Sequence, residues 1–417
     1  MLDHLDARGI LPDSQFGFRP NRSVAMALAC AQADWAGEKA KGNFVGVMAF
    51  DLTAAFDTID AGPLIDKLKN AGVKGTPLDW LKSYMSGRSQ SVVWNGSQST
   101  RLPLTHGVAQ GSILGPLLFL VMVADLPEFV TQGSSNSRMM CYCDDSTLTV
   151  IAKTKEMLKS ELERKAERMI VYCSKNGLVI NSGKSQLLIS SKENFEVTVG
   201  NSVIKAQDQI CLLGIDYDTN FSTAPYLQKL ATEAKTRAAV IYRLSFGIPN
   251  YLLKILTNRL LIWKIAAAAQ AAIPFKIAID DRAANFATDK INRAIKSAAR
   301  TITKTSLKDM VSSEQVLQKA GLRNLNEIVA STSVVMVWKS KRLNDPLGKV
   351  LFPKRNLLRP VRSINSSKAI QPVPGNRTLA ANLMARAWND AIELHAVETL
   401  ETAKTKAKTW ASTLLKA

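Results

Sequence analysis

Cysteine is scarce in this 417-residue chain, and the few cysteines lack the spacing of a metal site. They are Cys30, Cys141, Cys143, Cys173 and Cys211. Cys141 and Cys143 flank a single tyrosine, an interval too short for a zinc knuckle, and on a strand they would point to opposite faces. The pattern argues against a zinc knuckle and favours a reducing compartment, where disulfides are rare.

Long apolar stretches are also missing. The longest uncharged apolar run, residues 113–124, falls short of the about 20 residues that a membrane-spanning helix needs. The amino terminus is acidic and lacks the basic-then-apolar order of a signal peptide. We therefore expect a protein that is neither secreted nor inserted in a membrane, with enough apolar residues, 46%, to form a buried core.

Acidic residues are depleted in only one half of the chain. Residues 1–217 carry 22 Lys+Arg and 22 Asp+Glu, whereas residues 218–417 carry 32 and 13, so the net charge of +19 lies entirely in the second half. A neutral half with clustered acids and a strongly basic half together predict a catalytic body with a nucleic-acid-binding appendage. A basic surface that is merely solvated is the alternative.

Two adjacent carboxylates, Asp144 and Asp145, are the chemical focus of the sequence. They lie between an apolar run that ends at Tyr142 and a β-prone run over residues 146–151, which predicts a hairpin with the acids at its tip. Twin carboxylates repel each other, so in an apolar setting a divalent cation is their natural partner. A solvated turn is the alternative, because Asp is a common turn former.

A third carboxylate, Asp51, follows an apolar, β-branched run of strand length at residues 44–50. Strand ends are where α/β scaffolds place catalytic groups. Mg²⁺ prefers oxygen ligands, and two such ions can bind the attacking and leaving oxygens of a phosphoryl transfer. Asp51 and Asp144, 93 residues apart in the chain, are therefore expected to share two ions.

Six motifs follow one another in the first half of the chain. They are SQFGFRPNRSV (14–24), FDLTAAFDTID (50–60), HGVAQGSILGPLLF (106–119), YCDD (142–145), GLVINSGKSQLLI (177–189) and CLLGIDYD (211–218). In this order they resemble the reverse transcriptase domain of non-LTR (LINE-type, jockey-like) retrotransposons. The resemblance implies an α+β fold, namely a right-hand polymerase palm with a ferredoxin-like antiparallel sheet, partial fingers, an all-α thumb and a helical C-terminal extension. The expected bounds are 1–43 for the fingers, 44–217 for the palm with finger insertions, 218–305 for the thumb and 306–417 for the basic extension.

The resemblance also implies a reaction, in which a DNA primer 3′-hydroxyl attacks the α-phosphate of a dNTP on an RNA template. Two Mg²⁺ ions are the implied cofactors, and Mn²⁺ is also suitable. By analogy Asp51 and Asp144 are the shared metal ligands, and Asp145 contributes less directly. The implied substrate-binding residues are Phe56, Gln110, Gly111, Tyr142 and Lys184. The implied nucleic-acid-binding residues are Arg19, Arg22, Gly214, Lys229, Lys235 and Arg237.

Phe56, five residues after Asp51, bears on the choice of sugar. Related polymerases of ribonucleotides carry a small or polar residue at this point, often Asp, which can accept a bond from the 2′-hydroxyl. A large apolar ring leaves that hydroxyl without room or a partner, which favours deoxynucleotides. An ordinary core aromatic is the alternative.

Several other implied roles have plain structural alternatives. Gln110 can belong to a helix-capping loop, Lys184 to a solvated turn, and Arg19 and Arg22 can bond to local carbonyls instead of template phosphate. Asp57 and Asp60 are expected to be turn and capping residues. The sequence departs from the family pattern at Ala109, where proline is usual, and at Cys143, where a small residue is usual.

Turn and capping signals predict the local structure. Helices are expected at 63–71, 77–85, 113–126, 155–176, 226–245, 251–272, 281–304 and 378–417, a hairpin across Asn95-Gly96, and a linker at 344–375. The early finger segments and the upstream endonuclease of the family are not found, so we expect a truncated piece. A catalytically silent RNA/DNA-binding remnant is the alternative function. Phe56 argues against a third possibility, an RNA-dependent RNA polymerase.

Overall fold

A computed structural model of the chain describes residues 1–191, 194–271, 282–343, 394 and 399–413. The α-helices are α1 (Leu2–Ala7), α2 (Val24–Ala40), α3 (Ala61–Asn70), α4 (Thr76–Met85), α5 (Leu114–Met122), α6 (Leu126–Thr131), α7 (Lys155–Lys175), α8 (Ala224–Leu244), α9 (Asn250–Thr257), α10 (Trp263–Ala271), α11 (Arg282–Thr303), α12 (Ser313–Ala320), α13 (Leu325–Leu343) and α14 (Leu400–Thr413). The strands are β1 (Phe44–Phe50), β2 (Arg88–Gln90), β3 (Val93–Trp94), β4 (Ser97–Gln98), β5 (Leu102–Leu104), β6 (Ser137–Tyr142), β7 (Asp145–Ala152), β8 (Gln186–Ile189), β9 (Glu196–Val199), β10 (Ser202–Lys205), β11 (Gln209–Leu212) and β12 (Ile215–Asp218). The fold class is therefore α+β, as expected.

The chain divides into two compact units. The sheet unit comprises Met1–Arg22 and Asn43–Gln207, and the helical unit comprises Ser23–Gly42 and Asp208–Ala417. This division differs from the expected domain bounds at two points. Helix α2, expected in the fingers, belongs to the helical unit, and so does the β11–β12 hairpin, expected in the palm.

A four-stranded antiparallel sheet, in the order β6-β7-β1-β8, is the centre of the sheet unit. Strand β1 is buried along most of its length, because its apolar side chains are covered on both faces of the sheet. Helix α7 packs against β1 and β7. Its buried residues recur every three or four positions, as an amphipathic helix requires; they include Leu158, Leu162, Ala166 and Met169.

The Asn95-Gly96 turn is confirmed. Both residues have positive φ angles, +48° and +78°, as a two-residue hairpin turn requires. The turn joins β3 to β4, and the ribbon continues as β2 paired with β5. Each arm of the predicted hairpin is thus two short strands with a gap between them.

The expected helix 113–126 is wrong in detail, because the structure has two helices, α5 and α6, separated at Val123. Pro127 explains the break, since a proline ring clashes with the carbonyl four residues earlier, here that of Val123. The span Leu114–Thr131 is long and apolar enough to cross a membrane by composition, but 61% of it is buried in the protein. Core helices pass the same test, so the span is weak support for a membrane segment.

The helical unit consists mainly of long helices. Trp35 on α2 is buried between Tyr217 and Phe221, with ring centroids 5.6 and 5.3 Å away. The expected helices 226–245 and 281–304 are confirmed as α8 and α11. The expected helix 251–272 is α9 and α10 joined by a π-helical turn at Asn258–Ile262. Within 378–417 the structure describes α14, and the expected linker 344–375 lies outside the described residues.

Packing of α7 on the sheet gives a stability prediction at Gly46 in β1. A Cβ at this position would lie 2.8 Å from Leu162 Cδ1 and 3.2 Å from Leu158 Cδ1. Both leucines are fully buried and have little room to move. We expect Gly46→Val to lower the free energy of unfolding by about 1–3 kcal/mol in urea denaturation. Gly183→Val is the matched control, because a Cβ at Gly183 meets nothing closer than 3.5 Å; an equal loss in both variants would contradict this packing.

Candidate active site

Strand register brings the three carboxylates to one end of the central sheet. Phe50 pairs with Ser146 in the antiparallel β1–β7 ladder, so the next residue, Asp51, comes opposite Asp145. Tyr142 pairs with Asp145 across β6 and β7. Cys143 and Asp144 form the tip of that hairpin. The hairpin itself is as predicted, but Asp145, also expected at the tip, is the first residue of β7. Asp51 and Asp144 are half-buried, and Asp145 is exposed.

The hairpin tip is held by an N-terminal segment, residues 14–17, whose supporting role the sequence did not predict. The Gln15 side chain, which is buried, accepts hydrogen bonds from the backbone N–H of Cys143 at 3.0 Å and of Gly17 at 2.9 Å. The backbone of the same segment bonds to Cys141 in both directions, through Ser14 and Phe16, each at 2.8 Å. A Cβ at Gly17 would lie 2.5 Å from the Cys143 nitrogen, so only glycine allows this approach. A glutamine two residues before a glycine in the SQFGF motif was the available signal.

Arg19 and Arg22 follow in the same motif and are bound to the protein itself. Arg19 donates to the carbonyl of Pro12 at 2.7 Å and to the Asp6 carboxylate at 2.6 Å. Arg22 donates to the carbonyl of Gln15 at 3.0 Å and to the Asp13 carboxylate at 3.0 Å. These contacts match the structural alternative for both arginines. A contact with template phosphate stays a prediction.

A second segment, within the GLVINSGKSQ motif, fixes the backbone around Asp51. The Asp51 carbonyl accepts from the Asn181 amide at 2.8 Å, and the Asp51 amide donates to Ser185 Oγ at 3.3 Å. Two residues further on, the Thr53 amide donates to the Val179 carbonyl at 2.8 Å. Lys184 lies in this segment with its side chain exposed. The motif therefore anchors the strand end that carries Asp51.

The electrostatics of the acid cluster raise the pKa of one member. Asp145 is exposed as a residue, but neighbouring protein atoms partly desolvate its carboxyl group and raise its pKa, and the nearby charges of Asp144 and then Asp51 raise it further. Asp144 and Asp51 therefore both lie close enough to Asp145 to disfavour its ionised form. Burial raises the pKa of the Cys143 thiol to about 12, with Asp144 adding to the effect. Cys143 is accordingly a neutral thiol, as expected for a compact packing residue that is not a nucleophile.

The donor chemistry of the cluster suits a hard divalent cation. Carboxylate oxygens are the ligands that Mg²⁺ prefers, and bringing them together is costly unless positive charge is nearby. In the part of the chain that the structure describes, no three His, Cys, Asp or Glu side chains converge closely enough to hold a metal ion. The carboxylates thus fit a magnesium site by type and by position on the sheet, but their side chains do not surround a single point.

Phe56 lies between the core and solvent, beside the loop that follows β5. It is half-buried, and its ring stacks on that of Phe119 with centroids 4.7 Å apart and an interplanar angle of 27°. Its carbonyl accepts from the Val108 amide at 2.9 Å, and the Ile59 carbonyl accepts from the Gly107 amide at 2.8 Å. A Cβ at Gly107 would lie 2.9 Å from the backbone of the 50–60 segment. The two loops therefore hold each other in position.

Gln110 extends this contact through its side chain. Its Nε2 donates to both carboxylate oxygens of Asp57, each at 2.9 Å. Asp57 was expected to be a turn residue, and its partner 53 positions away could not be read from the sequence. Gly111 follows with a φ of +80° and no atom within 4 Å of where a Cβ would be. Asp60 caps α3 through the Gly62 amide at 2.9 Å, as expected.

The remaining predicted residues lie in the helical unit. Gly214 is in the β11–β12 turn, where it and Leu213 both have positive φ angles. Lys229 on α8 pairs with Asp216 at 2.7 Å. Arg237 donates to the Leu260 carbonyl at 2.6 Å and lies 3.7 Å from Glu233. Lys235 is exposed on the same helix.

Comparison with known proteins agrees with the motifs. The chain is 25% identical over 245 residues to "RNA-directed DNA polymerase from mobile element jockey" of Drosophila funebris, covering 54% of this chain and 25% of that protein. It is 24% identical over 263 residues to "Probable RNA-directed DNA polymerase from transposon X-element" of Drosophila melanogaster, covering 62% and 28%. The matched part of the chain thus spans about a quarter of the length of these relatives.

Solved structures also match, at lower similarity. An apo telomerase from Candida tropicalis is 11% identical with a TM-score of 0.43, and the match covers 82% of this chain and 58% of that one. A telomerase from Candida albicans, solved with a fragment of telomeric RNA, is 12% identical with a TM-score of 0.40, and the match covers 81% and 55%. TM-scores below 0.5 do not establish a shared fold.

The family profile matches the part of the chain that carries all three acids. The profile described as "Reverse transcriptase (RNA-dependent DNA polymerase)" covers residues 1–217, just over half of the chain. These residues include the sheet unit and the five motif segments that surround its acid-bearing end. The resemblance to non-LTR, jockey-like elements is confirmed by the relatives. The chain therefore belongs to the reverse transcriptase family.

Proposed function

We propose that this chain carries the RNA-directed DNA polymerase site of a non-LTR retrotransposon. The observation that carries the proposal is the gathering of Asp51, Asp144 and Asp145 at one end of the central sheet by strand register. The substrates are an RNA template, a DNA primer and dNTPs. The primer 3′-hydroxyl attacks the α-phosphate of the dNTP, forming a phosphodiester bond and releasing pyrophosphate.

In this proposal the sheet unit is the palm of a right-hand polymerase with part of the fingers, and the helical unit contains the thumb. The antiparallel order β6-β7-β1-β8 with α7 packed on it supports a ferredoxin-like palm. The excess of basic residues after position 217 supports a nucleic-acid-binding role for the helices.

Asp51 and Asp144 would hold two Mg²⁺ ions, with Mn²⁺ a suitable substitute, and Asp145 lies beside them. The bound cations supply positive charge that stabilises the attacking and leaving oxygens. The protein's own contribution is positional, because hydrogen bonds fix the backbone on which the carboxylates sit. Gln15 accepts from the Cys143 amide, Ser185 Oγ accepts from the Asp51 amide, and the Asn181 amide donates to the Asp51 carbonyl.

Phe56, Gln110, Gly111, Tyr142 and Lys184 complete the substrate site in this proposal. The stacked and half-buried Phe56 ring leaves no polar partner for a ribose 2′-hydroxyl. Gln110 is kept in place by Asp57, and its carbonyl oxygen remains an acceptor for a sugar or base edge. Lys184, exposed beside the Asp51 segment, can donate a proton to the departing pyrophosphate.

A second candidate is a nucleic-acid-binding protein without catalysis. It is favoured by one observation, that the acids in the described residues do not converge on a single point. Primer extension on an RNA template separates the two functions, because only the polymerase adds nucleotides.

The first prediction concerns the acids. Asp51→Asn and Asp144→Asn are each expected to reduce primer extension by at least about 100-fold, since each removes a negatively charged metal ligand without changing side-chain size. Asp66→Asn is the matched control, because Asp66 is exposed on α3 and pairs with Lys69. If both acid variants extend the primer as well as the wild type and the control do, the assignment of the site is overturned.

The second prediction concerns sugar choice. Phe56→Ala should raise the ratio of ribonucleotide to deoxynucleotide incorporation by about tenfold or more, because the ring no longer excludes the 2′-hydroxyl. The measurement is kcat/KM for each nucleotide in single-turnover primer extension. Phe44→Ala, at the opposite end of β1, is the control. An unchanged ratio in Phe56→Ala would assign the ring to packing alone.

The third prediction concerns pH. The pKa of Asp145 in the folded protein is raised above its ordinary value of 3.8. The folded state therefore loses stability as the pH rises from 3.8 through this raised pKa, because the side chain ionises more readily in the unfolded chain. Asp145→Asn should therefore unfold at a higher temperature than wild type at pH 7 in EDTA, with the difference shrinking toward pH 4. Added Mg²⁺ should narrow the gap at pH 7 by stabilising the wild-type protein. If Asp66→Asn raises the unfolding temperature at pH 7 as much as Asp145→Asn does, the gain does not come from local repulsion at Asp145.

A further inference from the structure

A groove in the helical unit combines positive charge with exposed aromatic rings. It has a volume of about 1020 Å³ and lies where α8 ends beside the C-terminal half of α11. The side chains that matter are Tyr242, Phe246, Arg293, Lys296, Arg300 and Lys304. We call it the α8–α11 groove.

The four basic residues form one stripe along α11 and its end. Their spacing of three, four and four residues places them on one face of the helix, and the stripe is about 16 Å long at 1.5 Å per residue. The opposite face carries Ile291, Ile295 and Ile302, which are buried. Helix α11 therefore has its apolar side in the bundle and its cationic side in the groove.

Like charges at this spacing repel, so the stripe is costly unless an anion offsets it. Within the described part of the chain, Arg293, Lys296 and Lys304 form no ion pair. The nearby acid Asp309 accepts from the Ser306 amide in a capping box. Arg300 is fixed by bonds to the carbonyls of Ser306 at 3.0 Å and Val311 at 3.3 Å. The groove thus presents a positively charged surface on which Arg300 is held in a defined position.

The two aromatic side chains of the groove are largely exposed to solvent, unlike aromatic side chains in a protein core. Tyr242 is 55% exposed and Phe246 is 76% exposed, and their rings meet edge to face with centroids 5.2 Å apart. Exposed rings beside a cationic stripe are the two components of sequence-tolerant single-strand binding, because bases stack on the rings and phosphates pair with the cations.

We propose that the α8–α11 groove binds single-stranded nucleic acid, with bases stacked on Tyr242 and Phe246 and phosphates at Arg293, Lys296 and Lys304. Duplex is a poorer ligand, because its bases are already stacked and their faces are hidden from the rings. The groove lies in the helical unit, so this proposal rests on the nucleic-acid-binding role proposed above for these helices and adds the form of nucleic acid that they bind. Binding there needs no catalysis.

The test is fluorescence anisotropy of the full chain with labelled single-stranded and duplex oligonucleotides of about 12 nucleotides, a length within known single-strand site sizes. All proteins carry Asp144→Asn, so the outcome does not depend on polymerase activity. The double variant Tyr242→Ala/Phe246→Ala should weaken single-strand binding about tenfold or more and change duplex binding less. The matched control is Tyr251→Ala/Trp263→Ala, which removes two aromatic side chains that are 67% and 63% exposed on α9 and α10.

A second pair of variants tests the charges. Arg293→Gln/Lys296→Gln should reduce the slope of log affinity against log salt for single strands by about 1.4, the value for two lost phosphate contacts. Lys406→Gln/Lys408→Gln, both exposed on α14, makes the same change of charge elsewhere and should leave the slope nearly unchanged. The proposal is overturned if the aromatic variant binds like its control. Equal losses for single strands and duplex, or binding to vesicles of anionic lipid that competes with the oligonucleotide, would also overturn it.

Discussion

The pairing of β1 with β7 is the constraint on which the candidate site depends. Phe50 opposite Ser146 places Asp51 opposite Asp145, and a slip of one residue would turn every side chain of one strand to the other face. Such a slip is prevented by burial, because Val45, Val47 and Met48 on β1 are fully covered. Apolar packing therefore fixes the position of charged groups that repel one another.

Two other segments hold this end of the sheet, and they explain why distant motifs occur together. The SQFG segment supports the β6–β7 turn through Gln15, and the segment 179–185 supports Asp51 through backbone and Ser185 bonds. Each contact satisfies a backbone group that would otherwise be left without a partner beside a cluster of carboxylates. The loop 107–111 is attached to the 50–60 segment in the same way. The motifs are thus parts of one hydrogen-bonded support.

The helical unit follows a different principle, because its functional features are surface charge and exposed rings. The basic residues of α8 are partly paired with the unit's own acids, as at Lys229 and Arg237. The stripe on α11 is not paired among the described residues, and it lies in a groove with two aromatic rings. Net charge by itself could not distinguish these helices, since both are basic in sequence.

The sequence by itself determined the features that depend on local chemistry. The β6–β7 hairpin, the Asn95-Gly96 turn, the amphipathic α7 and the motifs of the family could all be read from residue type and spacing, because turn conformation and helical periodicity are set within a few residues. The break before Pro127 was also available in the sequence, but the expected helix continues to residue 126, whereas α5 ends at Met122. The tertiary structure alone decided which distant groups meet. It set Asp51 against Asp145, Gln110 against Asp57 and Gln15 against the hairpin tip, and it bound Arg19 and Arg22 to their own chain. These contacts depend on strand register and on hydrogen-bond partners many residues away, which no local pattern specifies.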